Sequence, residues 1–267
     1  MMSKTKAFEV FKDIRKYHDL LYMLTRRDII IKYKQSVMGY LWAIFMPMLI
    51  VSAGMLVRAA FSKLSGQPVT IQDITAVSVK AVPWAFLVAS IRFATLSLIS
   101  NSNLITKIYF PRELFPIAAI LSQFFDFAVA SLTLAFVLGI ASVGMSLHLF
   151  WVPLIVAILF TFVLSLGILL SAIALFFRDV KYLVEVVLTF GIFFTPVFYE
   201  VGMFKEWAPL LLLNPIAPLL EGLHASVVVH ESPVVGWITY SAVCSIIALF
   251  LSMQVFKHLE PAFAESI

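Results

Sequence analysis

The chain has few charged residues for its length. Only 13% of its 267 residues are charged and 62% are hydrophobic, whereas soluble domains carry about 25% charged residues. The mean hydropathy is +1.01, and the apolar runs exceed the roughly 18 residues that mark a membrane-spanning helix. The polar stretches between these runs are too short to fold alone. The composition therefore predicts an all-α integral membrane protein with one membrane domain.

Cysteine and catalytic motifs are nearly absent. The single Cys244 lies inside an apolar run, so no disulfide framework or thiolate metal site can form within one chain. The sequence has no GxxxxGK[ST] phosphate loop, no HExxH pair and no clustered aspartates, which excludes ATP binding by a phosphate loop and gives no basis for metal-assisted catalysis. We therefore expect no cofactor, no metal and no catalytic residue in this chain.

The apolar runs predict six transmembrane helices in the domain 39–267, at about 39–61, 83–105, 114–144, 151–177, 182–199 and 234–257. Lysine and arginine are concentrated before the first span and in alternate loops, which places both termini in the cytoplasm. Because the net charge of +4 sits mostly at these membrane boundaries, we expect membrane lipids rather than nucleic acid as partners.

The stretch 200–233 contains an apolar run that three prolines, Pro209, Pro215 and Pro218, interrupt. We expect short re-entrant or interfacial helices there, on the outer side between spans five and six, because protein or water can satisfy the broken backbone. The alternative is that this stretch crosses the membrane once, which would move Lys257 to the outer side.

Residues 1–38 are predicted to form a cytoplasmic N-terminus with an amphipathic interfacial helix. On a helical wheel most basic residues lie opposite an apolar face that consists of Tyr17, Leu20, Leu21, Leu24 and Ile31. Asp28 falls within that face, and Lys32, four residues later, is its expected partner. A lipid anchor and a helix that also binds a cytoplasmic partner are both open interpretations.

The connection between the second and third predicted spans reads SNSNLITKIYFPRELFP. Asn101 and Asn103 disfavour a continued helix, and Pro111 and Pro116 bracket a short turn. Aromatic side chains are surrounded there by charged ones, which suits a docking surface, although an ordinary cytoplasmic hairpin has the same local chemistry.

Arg92 and Asp126 are the charges deepest inside the predicted spans, and both lie equally far in sequence from Tyr109. If the chain turns near Tyr109, antiparallel helices bring the two side chains to a similar depth. Since intramembrane charges usually pair or face water, we expect either a structural Arg92–Asp126 pair or a pore-facing Arg92 that meets an anionic substrate.

Aromatic residues make up 14% of the chain. Interfacial belts and lipid-facing packing explain most of them, but a flat aromatic face also suits a sugar ring. Two groups are candidates for a transport path: the start of the first span, with Tyr40, Trp42 and Phe45, and the outer end of the fifth, with Phe190, Phe193, Phe194, Phe198 and Tyr199.

Several motifs resemble one family in order and over nearly the full length. RRDIIIKYKQSVMGYLWAIFMPML resembles the N-terminal signature of membrane permeases of type-2 ABC exporters for bacterial polysaccharides, and NSNLITKIYFPRELFP resembles their coupling-helix loop. FFRDVKYL is similar to their second cytoplasmic loop, and TPVFYE with LNPIAPLLEGL to their fifth span and re-entrant segment. The ending FKHLEPAFAESI resembles O-antigen permeases more than capsule or teichoic-acid relatives.

The resemblance implies a multi-pass permease of the bacterial inner membrane that is not an enzyme itself. It implies a homodimer bound to two copies of a separate ABC ATPase that holds ATP and Mg, and a lipid-linked substrate, an undecaprenyl-linked polysaccharide such as O-antigen. Capsule polymers, teichoic-acid polymers, lipids and drugs are alternative substrates. It also implies a coupling helix at about 103–113 and ATPase-coupling residues Asn103, Lys107, Tyr109, Phe110, Pro111, Arg112, Glu113, Arg27 and Asp28.

Overall fold

The computed structural model describes residues 15–34, 36–39, 41–65, 70–107, 110–140, 144 and 146–263. These ranges are helical and contain no β-strand. The helices are α1 (His18–Tyr33), α2 (Leu41–Ser65), α3 (Ile71–Ser100), α4 (Ser102–Lys107), α5 (Leu114–Ile140), α6 (Trp151–Phe176), α7 (Val180–Gly191), α8 (Ala208–Leu212), α9 (Ala217–His224) and α10 (Val235–Leu259).

Within the described residues four helical stretches are long and apolar enough to cross a membrane. They are Ile71–Ser100, Leu114–Ile140, Leu147–Phe176 and Val235–Ala262. The apolar stretches Leu41–Val57 and Ala217–Val229 are shorter. The all-α membrane class is thus confirmed, and the count of six spans stays a prediction.

Helix α3 is the centre of the bundle and packs against α2, α5, α6 and α7. It begins at a capping box, in which the Thr70 hydroxyl accepts a hydrogen bond from the Asp73 backbone N–H and the Asp73 carboxylate accepts one from the Thr70 N–H. The predicted second span began at residue 83, twelve residues too late. Polar Gln72, Asp73 and Lys80 interrupt the apolar run there, so the run alone hides the true start.

A glycine lets three helices of the bundle approach one another closely. A Cβ atom on Gly167 of α6 would lie 2.7 Å from Ile120 Cδ1 of α5 and 2.9 Å from Ala94 Cβ of α3. Both distances are shorter than a carbon–carbon contact, so only glycine permits this approach. Small residues serve membrane helices in this way because packing, rather than exclusion from water, holds the helices together.

Helix α7 is shorter than the predicted fifth span of 182–199. It ends at Gly191 after 12 residues, and turns continue to Glu200. Pro196 explains the end, because it has no N–H and it disfavours helical geometry at Thr195. The Thr195 hydroxyl instead accepts a hydrogen bond from Asn214 Nδ2, at 3.0 Å. A helix of this length rises about 18 Å, well short of the roughly 30 Å of a bilayer's hydrocarbon core.

The bundle has two ends, and we name each by the glutamate that forms an ion pair with a lysine there. At the Glu113 end, α3, α6 and α10 finish and α5 begins, over a core that includes Leu98, Leu114 and Phe256. At the Glu221 end, α3, α6 and α10 begin and the short α9 packs against all three. The predicted re-entrant stretch is therefore a set of short helices placed at a single end of the bundle.

Helix α1 packs along α5. Leu24 is buried and Tyr17, Leu20 and Leu21 are partly buried in the core of the Glu113 end. The predicted apolar face is therefore in contact with protein for four of its five members. Ile31 is exposed, because the last turn of α1 approaches α5 through Lys32 and Tyr33 instead.

Candidate functional site

The loop from α4 to α5 forms the tip of the Glu113 end. Asn103 lies exposed on α4. Phe110 and Pro111 are half-buried, and the Phe110 ring packs against the Phe115 ring with 5.3 Å between centroids. Tyr109 and the side chain of Lys107 lie outside the described residues. The tip thus presents both a polar and an aromatic surface.

Glu113 does not point outward from this loop. It is 2% exposed, and its carboxylate accepts a hydrogen bond from Lys257 Nζ of α10 at 3.1 Å. Lys257 also donates to the Glu260 carboxylate at 3.0 Å. Burial raises the pKa of the Glu113 carboxyl above its ordinary value, and the positive charge of Lys257 opposes that rise. Glu113 therefore positions the loop against α10 and has no exposed surface to offer a partner.

Arg112 links the same loop to the residues that follow α10. Its guanidinium donates a hydrogen bond of 2.6 Å to the backbone oxygen of Glu260 and lies 5.7 Å from the centroid of the Phe263 ring, a cation–π distance. Phe263 is fully buried and contacts the rings of Phe176 and Phe256. The loop, α6 and α10 are consequently held as one unit.

Arg27 and Asp28 lie on α1 beside this unit. Asp28 accepts hydrogen bonds from Arg27 Nε at 3.1 Å and from an Arg27 terminal nitrogen at 2.8 Å. The predicted Asp28–Lys32 pair is therefore wrong. An adjacent arginine can fold back onto the carboxylate, and Lys32 has a better partner on another helix.

That partner is Asp126 of α5. Lys32 Nζ forms an ion pair with the Asp126 carboxylate and donates to Gln123 Oε1 at 2.7 Å. The Tyr33 hydroxyl donates to the other Asp126 oxygen. These contacts join the last turn of α1 to the middle of a predicted span, which is the polar link between the basic helix and the membrane domain.

The predicted Arg92–Asp126 pair is not formed. Arg92 of α3 instead donates to Glu185 of α7, from Nε at 2.9 Å and from a terminal nitrogen at 2.6 Å. Arg92 and Asp126 nevertheless lie at similar depth. Lys32 Nζ, which pairs with Asp126, is 5.4 Å from the ring of Phe93, the residue next to Arg92. Successive helical residues point about 100° apart, so Phe93 faces α1 while Arg92 faces α7.

Helices α2 and α7 share an open face. Most of their side chains are exposed, and only Val184 and Leu188 of α7 are buried. Trp42 and Phe45 of α2 are exposed and pack edge to face at 5.5 Å. Phe190, Phe193 and Phe194 are exposed as well. Tyr40 lies outside the described residues.

Phe198 and Tyr199 are half-buried and differ from the other aromatic candidates. Phe198 packs so tightly against α2 that a Cβ on Gly54 would lie 2.8 Å from its ring. The Tyr199 hydroxyl donates to the Phe193 backbone oxygen at 3.2 Å. These two side chains hold the turns after α7 in place, whereas the exposed aromatic residues are free to meet another molecule.

The sequence pattern missed an ion pair of a buried lysine at the Glu221 end. Lys80, which falls in the first predicted outer loop, lies inside α3 with its side chain 2% exposed. Its Nζ donates to Glu221 Oε1 at 2.7 Å and to the Tyr199 backbone oxygen at 3.0 Å. The pair ties α9 and the turns after α7 to the central helix. The available signal in the sequence was a single lysine and a single glutamate, each within an otherwise apolar stretch, because such charges usually pair.

Within the described residues no group of three or more histidine, cysteine, aspartate or glutamate side chains could hold a metal ion. Lys32, Lys80, Arg92 and Lys257 form ion pairs between helices or with the segments that join them, and Arg27 and Asp28 pair within α1. The arrangement therefore offers two surfaces for function, the tip of the Glu113 end and the open face of α2 and α7.

Comparison with known proteins gives the family of the chain. The model of the family described as ABC-2 type transporter matches residues 19–228. A curated relative from Myxococcus xanthus, named O-antigen export system permease protein RfbA, is 28% identical over 260 residues, 96% of this chain and 98% of the relative. A relative of the same name from Klebsiella pneumoniae is 26% identical over 251 residues, 92% of this chain and 94% of the relative. The chain belongs to the ABC-2 type transporter family and is a multi-pass membrane protein.

Proposed function

We propose that this chain is the permease subunit of an ATP-driven exporter that moves a lipid-linked polysaccharide of the O-antigen class out of the cytoplasm. The observation that carries the proposal is the similarity over nearly the whole chain to relatives named O-antigen export permeases. The chain would lie in the bacterial inner membrane with both termini in the cytoplasm. ATP and Mg would be bound by a separate ATPase.

The open face supports assembly as a homodimer. Its exposed apolar side chains on α2 and α7 include Leu56, Val186 and Val187. A second copy placed against this face would enclose the exposed aromatic residues between two permeases. Flat rings then line a path on which a glycan can slide without a fixed set of hydrogen bonds.

The tip of the Glu113 end supports docking of the ATPase. Arg112 and Glu113 fix the loop to α10, so a force on the tip reaches α6 and α10 together. Arg27 and Asp28 place a second surface beside it on α1. In this proposal Asn103 and Phe110 contact the ATPase, while Arg112 and Glu113 hold the contact surface in shape.

The test is purification of the chain with the ATPase encoded beside its gene, followed by ATP hydrolysis in proteoliposomes. We expect hydrolysis to rise when a polyprenyl diphosphate-linked O-antigen is supplied. Capsule and teichoic-acid polymers serve as the competing substrates. Transport by the chain alone, or no bound ATPase, would contradict the proposal.

Substitution Phe110→Ala tests the docking surface. We expect the ATPase to dissociate from the permease at lower salt concentration or lower dilution than from the unaltered chain, because an apolar contact at the tip is lost. Phe204→Ala at the other end of the bundle, also a change of a phenylalanine with an exposed surface, is the matched control. Equal binding by both variants would remove Phe110 from the docking surface.

A further inference from the structure

The Arg92–Glu185 pair differs from the other interhelical ion pairs of the described chain. The side chains of Arg92 and Glu185 are 42% and 50% exposed, whereas Lys80 and Glu113 are each 2% exposed. Because these side chains are buried, we regard the Lys80–Glu221 and Lys257–Glu113 pairs as structural. The Arg92–Glu185 pair is exposed although it lies on two predicted membrane helices. Charged groups at membrane depth face water, protein or a polar ligand rather than lipid tails, so one of these should contact the pair.

The depth of the pair follows from its neighbours. Phe93, next to Arg92, lies 5.4 Å from Lys32 Nζ at the end of α1. Helix α1 combines basic residues with exposed apolar side chains such as Tyr22 and Met23, a composition typical of helices that lie in the lipid headgroup layer. Arg92 lies eight residues before the end of α3, about 12 Å along the helix, so it is in the half of the bundle that adjoins α1 and the Glu113 end.

The guanidinium of Arg92 has donors to spare. A guanidinium carries five N–H groups, and Glu185 receives hydrogen bonds from two of its nitrogens. The three remaining N–H groups have no hydrogen-bond partner among the described residues. A planar guanidinium with several open N–H groups matches the geometry of a phosphate, to which arginine often binds with two parallel hydrogen bonds.

The surroundings favour an anion with more than one charge. Arg178 and Lys181 lie exposed near the start of α7, on the Glu113 side of the pair, with Asp179 exposed between them. This turn therefore has a net charge of +1, which attracts anions. Glu185 cancels one positive charge and holds the guanidinium in a fixed orientation. A lipid with a single phosphate charge gains little from such a neutralised pair, while a diphosphate keeps a larger attraction to the surrounding cations.

We propose that Arg92 binds the phosphate group of a lipid headgroup that enters along the open face, and that this headgroup is the diphosphate of the lipid-linked glycan. Glu185 is a positioning residue that orients Arg92. This inference rests on the proposed function and names the part of the substrate that the permease recognises first. A bulk anionic phospholipid shares the same chemistry and is the competing source.

The experiment uses the permease and its ATPase in neutral-lipid vesicles. The rate of ATP hydrolysis is measured against the concentration of polyprenyl diphosphate-linked glycan for the unaltered complex and for Arg92→Gln. Lys205→Gln, which removes an exposed cation at the Glu221 end, is the control. We expect the half-stimulating concentration to rise about tenfold or more for Arg92→Gln, the range of a lost charge-assisted hydrogen bond, and to stay within about twofold for Lys205→Gln.

Two further measurements distinguish the glycan lipid from a bulk phospholipid as the ligand, and a binding role of Arg92 from a structural one. Phosphatidylglycerol replaces the glycan lipid in one arm, and we expect little stimulation of the unaltered complex and a gain with Glu185→Gln, which leaves the guanidinium uncompensated. In the other arm, the exchanged pair Arg92→Glu with Glu185→Arg keeps an ion pair but moves the cation. We expect it to assemble normally and to remain defective toward the glycan lipid.

The outcomes are distinct. If the unaltered complex responds to the glycan lipid and Arg92→Gln responds equally, the inference is overturned and the proposed function stands. Full activity of the exchanged pair would show that the Arg92–Glu185 contact is only structural, and it would overturn the inference. Equal stimulation by phosphatidylglycerol and by the glycan lipid would overturn it as well. If the unaltered complex never responds, the proposed function itself fails. Should Arg92→Gln not assemble, Arg92→Lys, which keeps the charge and loses the planar fork, is expected to show the same rise.

Discussion

The two sides of helix α3 differ sharply in how they are covered. One side packs against α5 and α6, and the contact is so close that Gly167 leaves no room for a Cβ atom. The other side carries α2 and α7, whose outer surfaces are exposed over most of their length. The packed side keeps the fold, and the open side is available for a second copy of the chain and for substrate. Substitutions on the two sides should therefore have different consequences.

The largest expected effect is from Lys80→Ala at the Glu221 end, where the lysine side chain is buried. The change leaves the Glu221 carboxylate without its cation and the Tyr199 backbone oxygen without its donor. Removing one partner of a buried pair costs about 3–5 kcal/mol, and because the Glu221 side chain is 24% exposed we expect a loss near the lower end of that range. The measurement is thermal unfolding in detergent together with the yield of monodisperse protein.

The control for that prediction is the double change Lys80→Met with Glu221→Leu. Apolar side chains of similar size often replace a buried ion pair at little cost, so the double variant should be more stable than Lys80→Ala. A Lys80→Ala protein that unfolds at the temperature of the unaltered chain would show that this pair does not hold α9 in place.

Lys257→Ala should give a smaller loss that depends on pH. Burial already raises the pKa of Glu113 above its ordinary 4.5, and losing Lys257 removes the charge that opposes this rise. A carboxyl with a raised folded-state pKa stabilises the fold fully below its unfolded-state pKa and loses that contribution as the pH rises through the folded-state value. The deficit in melting temperature should therefore be larger at pH 8 than near pH 5. Glu113→Gln with Lys257→Ala should remove the pH dependence, and a deficit that is constant with pH would contradict this account.

Gly167→Ala should cost about 1–3 kcal/mol, the usual range for overpacking a tight core. Its new Cβ would meet Ile120 and Ala94 at distances below van der Waals contact. Gly139→Ala on α5 is the matched control, because a Cβ there meets no described atom within 4 Å. We expect that control to be neutral or slightly stabilising, since alanine is the better helix former. The measurement is again the midpoint of thermal unfolding, and equal effects at both glycines would refute close packing at Gly167.

The smallest effect on stability is expected from Phe194→Ala on the open face, where the side chain is 72% exposed. Exposed positions of this kind usually change stability by within about 0.5 kcal/mol. Export of the glycan in cells should nevertheless fall if the ring touches substrate. Phe86→Ala, a buried phenylalanine on α3, should instead cost about 3–5 kcal/mol. Loss of folding by both variants would place Phe194 in the packing rather than on the path.

The helical class and several helix starts could be read from the sequence because long apolar runs leave few alternatives. Helices α5, α6 and α10 begin within one residue of the predicted positions. The start of α3 was missed because Lys80 is polar in sequence but buried in structure. The end of α7 was missed because the apolar run continues past Gly191 while Pro196 stops the helix.

The partners of the charged residues were harder to predict for a geometric reason. Distance along a helix gives depth, and it brought Arg92 and Asp126 to similar levels. It does not give the direction in which a side chain points, which depends on how each helix is rotated against its neighbours. Glu185 and Lys32 are far from their partners in sequence, so only the packed structure pairs them. The roles assigned to the coupling loop and to the exposed aromatic residues stay predictions.

The shortness of α7 has a mechanical consequence for the membrane. A helix that rises about 18 Å cannot match a hydrocarbon layer of about 30 Å. Lipids beside α7 would have to compress or tilt, and such hydrophobic mismatch costs a fraction of a kcal/mol for each ångström. The cost vanishes where protein or a polar chain replaces the lipid. We therefore expect that a thicker bilayer favours the state in which protein or glycan, rather than lipid, contacts this face.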